Sequence, residues 1–359
     1  MVSISLCMIV KNEEAVLARC LNSIKDVVDE IIIVDTGSDD KTKEIASEFT
    51  EHVYDFEWIN DFSAARNFAF SKATKEMQMW LDADDVIAPD EAAALLKLKD
   101  NIAPEVDIVA CKYHTHFDEH GIPILTSTRE RLFRRKKNFL WHDVIHEYIP
   151  LTGNILYSDI AISHKKEASS GNRNLAIYQA NLETGTPFSP RETYYYAREL
   201  MDHGRDEESA TYFEQFLADQ LGWYEDNIAT CFNLSKIYER LGQKEKIFPV
   251  LVQSFDFDTP RAEICCQLGY YFKTKQQFKQ AIYWFGLALT LKKESIGFVL
   301  NDYWDFIPAV ELCACYFAVG DKEKSYQYHI LSKSFKPDAK SVIFNENYFK
   351  SIGITGGSE

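Results

Sequence analysis

Apolar runs alternate with helical stripes from Ser3 to Leu81. Ser3–Val10 reads as a buried strand, with its apolar run from Ile4 to Val10. Glu14–Ile24 then repeats Val16, Leu17, Cys20, Leu21 and Ile24 at the spacing of one helix face. Glu30–Asp35 predicts a second buried strand. It stops at Thr36-Gly37-Ser38-Asp39-Asp40, which supplies a turn glycine and an N-cap for a helix over Lys41–Phe49. His52–Phe56 reads as a short third strand, Phe62–Ala73 as a helix, and Met77–Leu81 as a fourth strand that delivers Asp82. Such alternation builds an open, largely parallel sheet that takes its ligands at the carboxyl ends of the strands. Asp35 and Asp82 both fall at that edge.

After Ser169-Ser170-Gly171-Asn172 the pattern changes to paired helices. Tyr194–Leu217, Cys231–Phe255, Glu263–Leu291 and Ile307–Phe335 each read as helix, polar turn, helix. Gly204 to Gly242 spans 38 residues and Gly242 to Lys275 spans 33, close to the ~34-residue tetratricopeptide period. The next interval, to Gly320, is 45 and carries an insert around Glu294–Asp305. The expected division is a domain over 1–168, a connecting segment over 169–190, and helical repeats over 191–350 with a frayed Gly/Ser tail. Most Tyr and Phe residues of the repeats belong to their core. The remainder suits a groove for an extended polypeptide.

Composition narrows the classes. The 359 residues are 46% hydrophobic and 26% charged, ordinary globular values. With 39 basic against 55 acidic residues the net charge is −16, which argues against a nucleic-acid or anionic-membrane surface. Eight scattered cysteines without a Cys-x-x-Cys pair read as reduced thiols of a cytoplasmic protein. The first apolar run ends at Lys11-Asn12-Glu13-Glu14, so it is a strand and not a signal. No run approaches the ~20 residues of a membrane helix. Gly-x-Gly-x-x-Gly, P-loop, Gly-x-Ser-x-Gly and His-Glu-x-x-His patterns are all missing.

Trp80-Leu81-Asp82-Ala83-Asp84-Asp85 places carboxylates at alternate positions straight after a strand. Oxygen ligands so placed suit Mg²⁺ or Mn²⁺ bound to phosphates. Three further stretches accompany it in order: Cys7-Met8-Ile9-Val10-Lys11-Asn12-Glu13-Glu14, Val34-Asp35-Thr36-Gly37-Ser38-Asp39-Asp40-Lys41-Thr42 and Asp61-Phe62-Ser63-Ala64-Ala65-Arg66-Asn67. Together these resemble family 2 glycosyltransferases over residues 1 to about 165. The resemblance implies an α/β GT-A domain, Rossmann-like with a mostly parallel sheet, here followed by an all-α tetratricopeptide-like solenoid. It also implies an inverting mechanism, a UDP- or other nucleotide-sugar donor, and Mn²⁺ or Mg²⁺. The Asp-Phe-Ser-x-Ala-Arg-Asn stretch, a later Ile145-His146-Glu147 and the helical half look like the peptide S-glycosyltransferases that make glycocins. Bacterial surface-glycan enzymes share them.

The resemblance also suggests roles. Val10, Asn12 and Glu13 line the base pocket, and Asp35 accepts the ring N–H of a uracil-like base. Asp82, with Ala83 behind it, meets the ribose or the metal's water shell. Asp84 ligates the metal, with Asp85 as the alternative and His164 as a further ligand. Arg66 contacts phosphate or the carboxylate loop. Arg131 or Arg134, from the six cations within Arg129–Lys137, stands beside the diphosphate, and Trp141 lies under a sugar or acceptor. The plainer reading of that stretch is an exposed hairpin, Arg131–Arg135 pairing with Phe139–Trp141. Glu147 is the candidate general base, with His146 orienting or replacing it. Asp143 is a third candidate, at a position where the related pattern commonly has glycine.

The expected activity is metal-dependent inverting transfer of a sugar to Cys, Ser or Thr of a peptide or protein. The rivals are assembly of a surface polysaccharide or lipid-linked glycan, and an inactive scaffold binding a partner through its repeats. The expected partners are a nucleotide-sugar and a peptide or protein acceptor, with no nucleic acid and no integral membrane segment. The oligomeric state stays open.

Overall fold

A computed structural model of the chain describes residues 2–165, 171–185, 187–292 and 297–354. The chain divides into two compact units, Met1–Asn181 and Leu182–Glu359. Residues 169, 170 and 186 of the expected connecting segment, the start of the insert at 294–296 and the Gly/Ser tail lie outside the described residues.

The first unit runs β1 (Ile4–Val10), α1 (Leu17–Ile24), β2 (Glu30–Asp35), α2 (Thr42–Ser47), β3 (Val53–Asp55), α3 (Phe62–Lys72) and β4 (Met77–Trp80). Then follow β5 (Asp85–Val86), α4 (Pro89–Asn101), β6 (Ile108–Phe117), β7 (Pro123–Arg134), β8 (Ile155–His164) and α5 (Arg173–Glu183). Within this unit the strand order is β3-β2-β1-β4-β7-β6-β8-β5. The β3-β2-β1-β4 block and the β6-β8 pair are parallel, while β7 runs antiparallel to both neighbours and β5 antiparallel to β8. The sheet is thus mixed and mostly parallel, as the alternation implied.

β1 is apolar except for Ser5 because both of its faces are covered. Leu6 and Met8 join the core with Leu17, Leu21 and Leu95, whereas Cys7 belongs to a second core with Val34, Phe70 and Trp141. α3 packs onto that second face through Ala69 and Phe70, and the small Ala69 side chain lets the helix lie close to the sheet. Asp61 caps it, its carboxylate accepting the Ala64 N–H at 2.9 Å. α1 starts at Leu17, later than its apolar stripe. The Glu14 N–H and carboxylate are instead engaged by Asp40 and by the Lys41 N–H, in the loop after β2.

The expected Arg131–Arg135/Phe139–Trp141 hairpin does not form. β7 pairs with β4 and β6, residues Arg135–Lys137 make a 3-10 turn, and Phe139 and Trp141 are buried in the second core. An exposed hairpin would leave those two rings in water, and burying them is worth more.

The second unit is helical: α6 (Pro190–Asp202), α7 (Asp206–Asp219), α8 (Tyr224–Arg240), α9 (Lys244–Gln253), α10 (Ala262–Thr274), α11 (Phe278–Thr290), α12 (Phe306–Ala318), α13 (Lys322–Phe335) and α14 (Lys340–Ser351). Successive helices pack as the four expected pairs, with α14 closing on α13. Gly204, Gly242 and Gly320 take left-handed φ of 70°, 72° and 85° in the turns of the first, second and fourth pairs. In the third, Gln276 occupies that conformation at 57°, one residue beyond where the spacing put it. Gly269 is required by a close approach, since a Cβ there would lie 2.7 Å from the Phe285 ring. All eight cysteines are free and buried. No helix among the described residues is long and apolar enough to cross a membrane.

Candidate active site

Parallel pairing sets Val10 beside Asp35, so the loops after β1 and β2 leave the sheet together. Side chains knit them. The Asn12 N–H donates to Ser38 Oγ at 2.9 Å, the Asp39 N–H to Asn12 Oδ1 at 2.9 Å, and the Glu13 N–H to Thr42 Oγ1 at 2.7 Å. Asn12 holds a left-handed φ of 56° to do this. Asp35 is buried, and its Oδ1 accepts the N–H groups of Gly37 and Ser38 at 3.0 and 2.9 Å. Its Oδ2 is buried with no hydrogen-bond partner among the described residues. A buried carboxylate oxygen left over in this way is an acceptor for a ligand N–H.

The Asp82–Asp85 loop is shaped by its last residue. Asp85 Oδ2 accepts the Asp82 N–H at 3.0 Å and pairs with Arg131 Nη1 at 3.1 Å. Its Oδ1 accepts from the Tyr113 hydroxyl at 2.8 Å and lies 3.2 Å from His164 Nδ1. Neither Asp85 nor Arg131 exposes any side-chain surface. Asp84 is partly exposed and meets His164 Nδ1 at 3.1 Å. Burial works against charge on His164, but the hydrogen bonds it donates to Asp84 and Asp85 outweigh it and carry its pKa up to about 10. Burial, then repulsion from Asp84 and Asp82, lifts Glu13 to about 7.

Arg66 joins this loop to Glu147. Its Nη2 lies 2.7 Å from Asp82 Oδ1 and its Nε 2.5 Å from Glu147 Oε1. The guanidinium sits 4.6 Å from the Trp80 ring centroid and 5.0 Å from that of Trp141. Arg131 lies 3.9 Å from the Trp80 centroid, so the indole carries both cations. Burial pushes Asp82 upward, yet Arg66 and Arg131 together hold it down to about 2.

The structure therefore brings together Glu13, Arg66, Asp82, Ala83, Asp84, Arg131, Glu147 and His164, with Val10, Asn12 and Asp35 forming the adjoining loops. It places other candidates elsewhere. Arg134 lies towards the opposite end of the sheet, donating to the carbonyls of Val106 and Ala103 at 2.8 and 3.2 Å. Arg131 is wholly buried and its Nη1 meets Asp85 and the Trp80 carbonyl, so its charge shapes the loop. Trp141 is 4% exposed and packs on Phe70, Trp80 and Phe133, so it is no open platform for a sugar. The His146 ring stacks on Tyr178 at 6.1 Å. Asp143 holds a φ of 68°, the conformation that glycine adopts freely.

Sequence reasoning did not find Tyr113, which lies on a strand without a motif, or the double role of Trp80. Arg129 was only one of a run of cations. It lies 5.7 Å from the Trp80 centroid and has no ion pair among the described residues.

The donor set suits a divalent cation. One ligand atom each of Asp82, Asp85 and His164 lies within 4.8 Å of the others, and carboxylate and imidazole are both common metal ligands. Asp85 has both oxygens committed, which leaves Asp84 as the carboxylate freer to join His164.

The family model described as Glycosyl transferase family 2 matches residues 5–157. The chain is 36% identical over 149 residues to a TPR repeat-containing protein of Synechococcus elongatus, covering 42% of this chain and 36% of that protein. It is 28% identical over 221 residues to the SPbeta prophage-derived glycosyltransferase SunS of Bacillus subtilis, covering 58% of this chain and 51% of SunS. The matched region thus spans about half or less of these curated relatives' length. Among solved structures, YrrB, described as a TPR protein with an unusual peptide-binding site, is 15% identical with a TM-score of 0.37, over 49% of this chain and 83% of YrrB. Residues 5–157, within the amino-terminal unit, thus match Glycosyl transferase family 2, and a unit of paired helices follows them.

Proposed function

We propose that the chain is a metal-dependent inverting glycosyltransferase that moves a sugar from a nucleotide-sugar, a UDP-sugar in the first instance, to a Cys, Ser or Thr side chain of a peptide or protein. The observation that carries this reading is the bridge of Arg66 between Asp82 and Glu147, which sets a candidate base beside a candidate donor loop. The unpartnered Asp35 Oδ2 supports a base pocket between the first two loops.

In this reading Asp35 accepts the base N–H, while Asn12 and Glu13 close the pocket. Asp84 and His164 would hold Mn²⁺ or Mg²⁺, which when bound neutralises the departing diphosphate. Arg129, rather than Arg131 or Arg134, is the cation of β7 free to meet phosphate oxygen. Glu147 takes the proton from the acceptor hydroxyl or thiol as that atom forms its bond to the anomeric carbon. The bond from that carbon to the diphosphate breaks, and its electron pair leaves with the nucleotide. Attack opposite the leaving group inverts the centre. The helical unit presents the acceptor chain.

The test is release of UDP from a panel of UDP-hexoses and UDP-N-acetylhexosamines, with Mn²⁺ and with chelator. Release that needs the metal is expected. A protein that neither binds UDP with Mn²⁺ nor releases it from any donor would overturn the reading.

A further inference from the structure

Helix α3 grips the stretch that carries Glu147 at three points. The Phe62 N–H donates to the Val144 carbonyl at 2.9 Å. Arg66 holds Glu147 itself. Asn67 matches its whole amide to one residue, Nδ2 donating to the Trp141 carbonyl at 3.0 Å and Oδ1 accepting the Trp141 N–H at 2.8 Å. The gripped loop is closed at its neck, where His142 and Tyr148 exchange backbone hydrogen bonds of 2.8 and 3.1 Å. Inside it Asp143 and His146 both hold positive φ, at 68° and 52°. Two non-glycine residues in that region cost conformational energy and persist only where the surroundings over-determine them. The α3 contacts provide that determination.

We infer that Asn67 is a positioning residue for Glu147. Its hydrogen bonds to the backbone of Trp141 set the place of the 142–148 loop, and the Arg66–Asn67 pair serves the acceptor side of the reaction as much as the donor side. The inference rests on the reading of Glu147 as the base. Its physical content is that an amide paired with a peptide group on both edges fixes register as a neighbouring strand does. A loop displaced by about 1 Å from the reacting geometry loses on the order of 10²-fold in rate. Asn67 touches none of Asp35, Asp82, Asp84 or His164, so donor affinity stays outside its reach.

The experiment compares wild type, Asn67→Ala, Glu147→Gln and the double variant. Calorimetry with UDP and Mn²⁺ reads donor-site affinity, UDP release from the best donor of the panel reads turnover, and thermal melting reads folding. Asn67→Ala should leave UDP affinity and donor KM unchanged and lower kcat by about 10–100-fold. Placed on Glu147→Gln it should lower kcat no further, because it acts through Glu147. If Asn67→Ala is unfolded at the assay temperature, Asn67→Asp takes its place; it keeps the acceptor for the Trp141 N–H and loses the donor. An equal loss in the Glu147→Gln background, or a loss of UDP affinity in step with kcat, overturns the inference and assigns Asn67 to general structure. Wild-type turnover that Glu147→Gln leaves intact removes the base and the inference with it. Wild type without UDP binding or release fails the functional reading itself, a result distinguishable from either.

Discussion

Arg131 Nη1 lies 3.1 Å from Asp85 Oδ2, and neither side chain reaches solvent. One residue earlier, Asp84 is partly exposed and faces His164. Adjacent carboxylates thus differ in place, Asp85 buried within the loop and Asp84 at its open side.

Substitutions should separate the two. Asp84→Ala is expected to abolish Mn²⁺-dependent binding of UDP in calorimetry while leaving the melting temperature close to wild type. Asp85→Asn strands Arg131 in a buried site, and breaking such a pair costs about 3–5 kcal/mol. Denaturant unfolding should register that loss even without metal or nucleotide. Equal stability of the two variants would contradict the division.

Glu147→Gln keeps the shape of the side chain and removes its basicity. Loss of a general base lowers rate by about 10²–10⁴-fold, so transfer and donor turnover should both collapse while UDP affinity with Mn²⁺ holds. Near-normal turnover would move the role to His146 or Asp143.

Every residue assigned to the donor lies before α5. A chain ended at Gly185 should therefore still bind UDP with Mn²⁺ and release UDP slowly from a donor, yet lose transfer to a peptide acceptor. A folded truncated protein, verified by circular dichroism, that binds no UDP would show that the helical unit contributes to the donor site.

Asp226 offers a pH test away from the catalytic residues. Burial raises it from the ordinary 3.8 to about 6, with Arg191 and Arg198 opposing. Because the folded value lies above the unfolded one, its contribution is fully present below 3.8 and is lost as pH rises through about 6. Asp226→Asn should therefore melt a few degrees above wild type at alkaline pH, and the gain should vanish towards pH 3.8. A gain that does not depend on pH would refute this account.

Much of this was legible in the chain. β2 and the start of α3 fall where the apolar pattern put them, because strands buried on both faces and helices capped by Asp61 carry strong local signals. The residues around Asp82 could be read because chemistry demands carboxylates at a strand end. β6 and β7 could not, since their partly exposed strands show no clean alternation, and Tyr113 went unseen with them. Arg131 and Arg134 look alike in sequence. Only the pairing of β7 with β4, which sets Arg134 beside Met77 and turns Arg131 onto Trp80, tells them apart. Gln276 in a glycine conformation was hidden for a similar reason: the turn geometry of its helix pair tolerates a side chain.

The guanidinium shared by Asp82 and Glu147 bears on how a sequence like this one drifts over time. Lysine presents a point charge on a flexible stem and cannot span both carboxylates from between two indole rings, so an Arg-to-Lys exchange at position 66 is not a neutral step. Losing either acid leaves the cation half-served. Trp80, Trp141 and the three charged residues are thus bound to change as a block. Among descendants of a common ancestor, replacement at position 66 should be accompanied by replacement at 82 or 147 and by loss of an indole, a correlated history rather than independent substitutions.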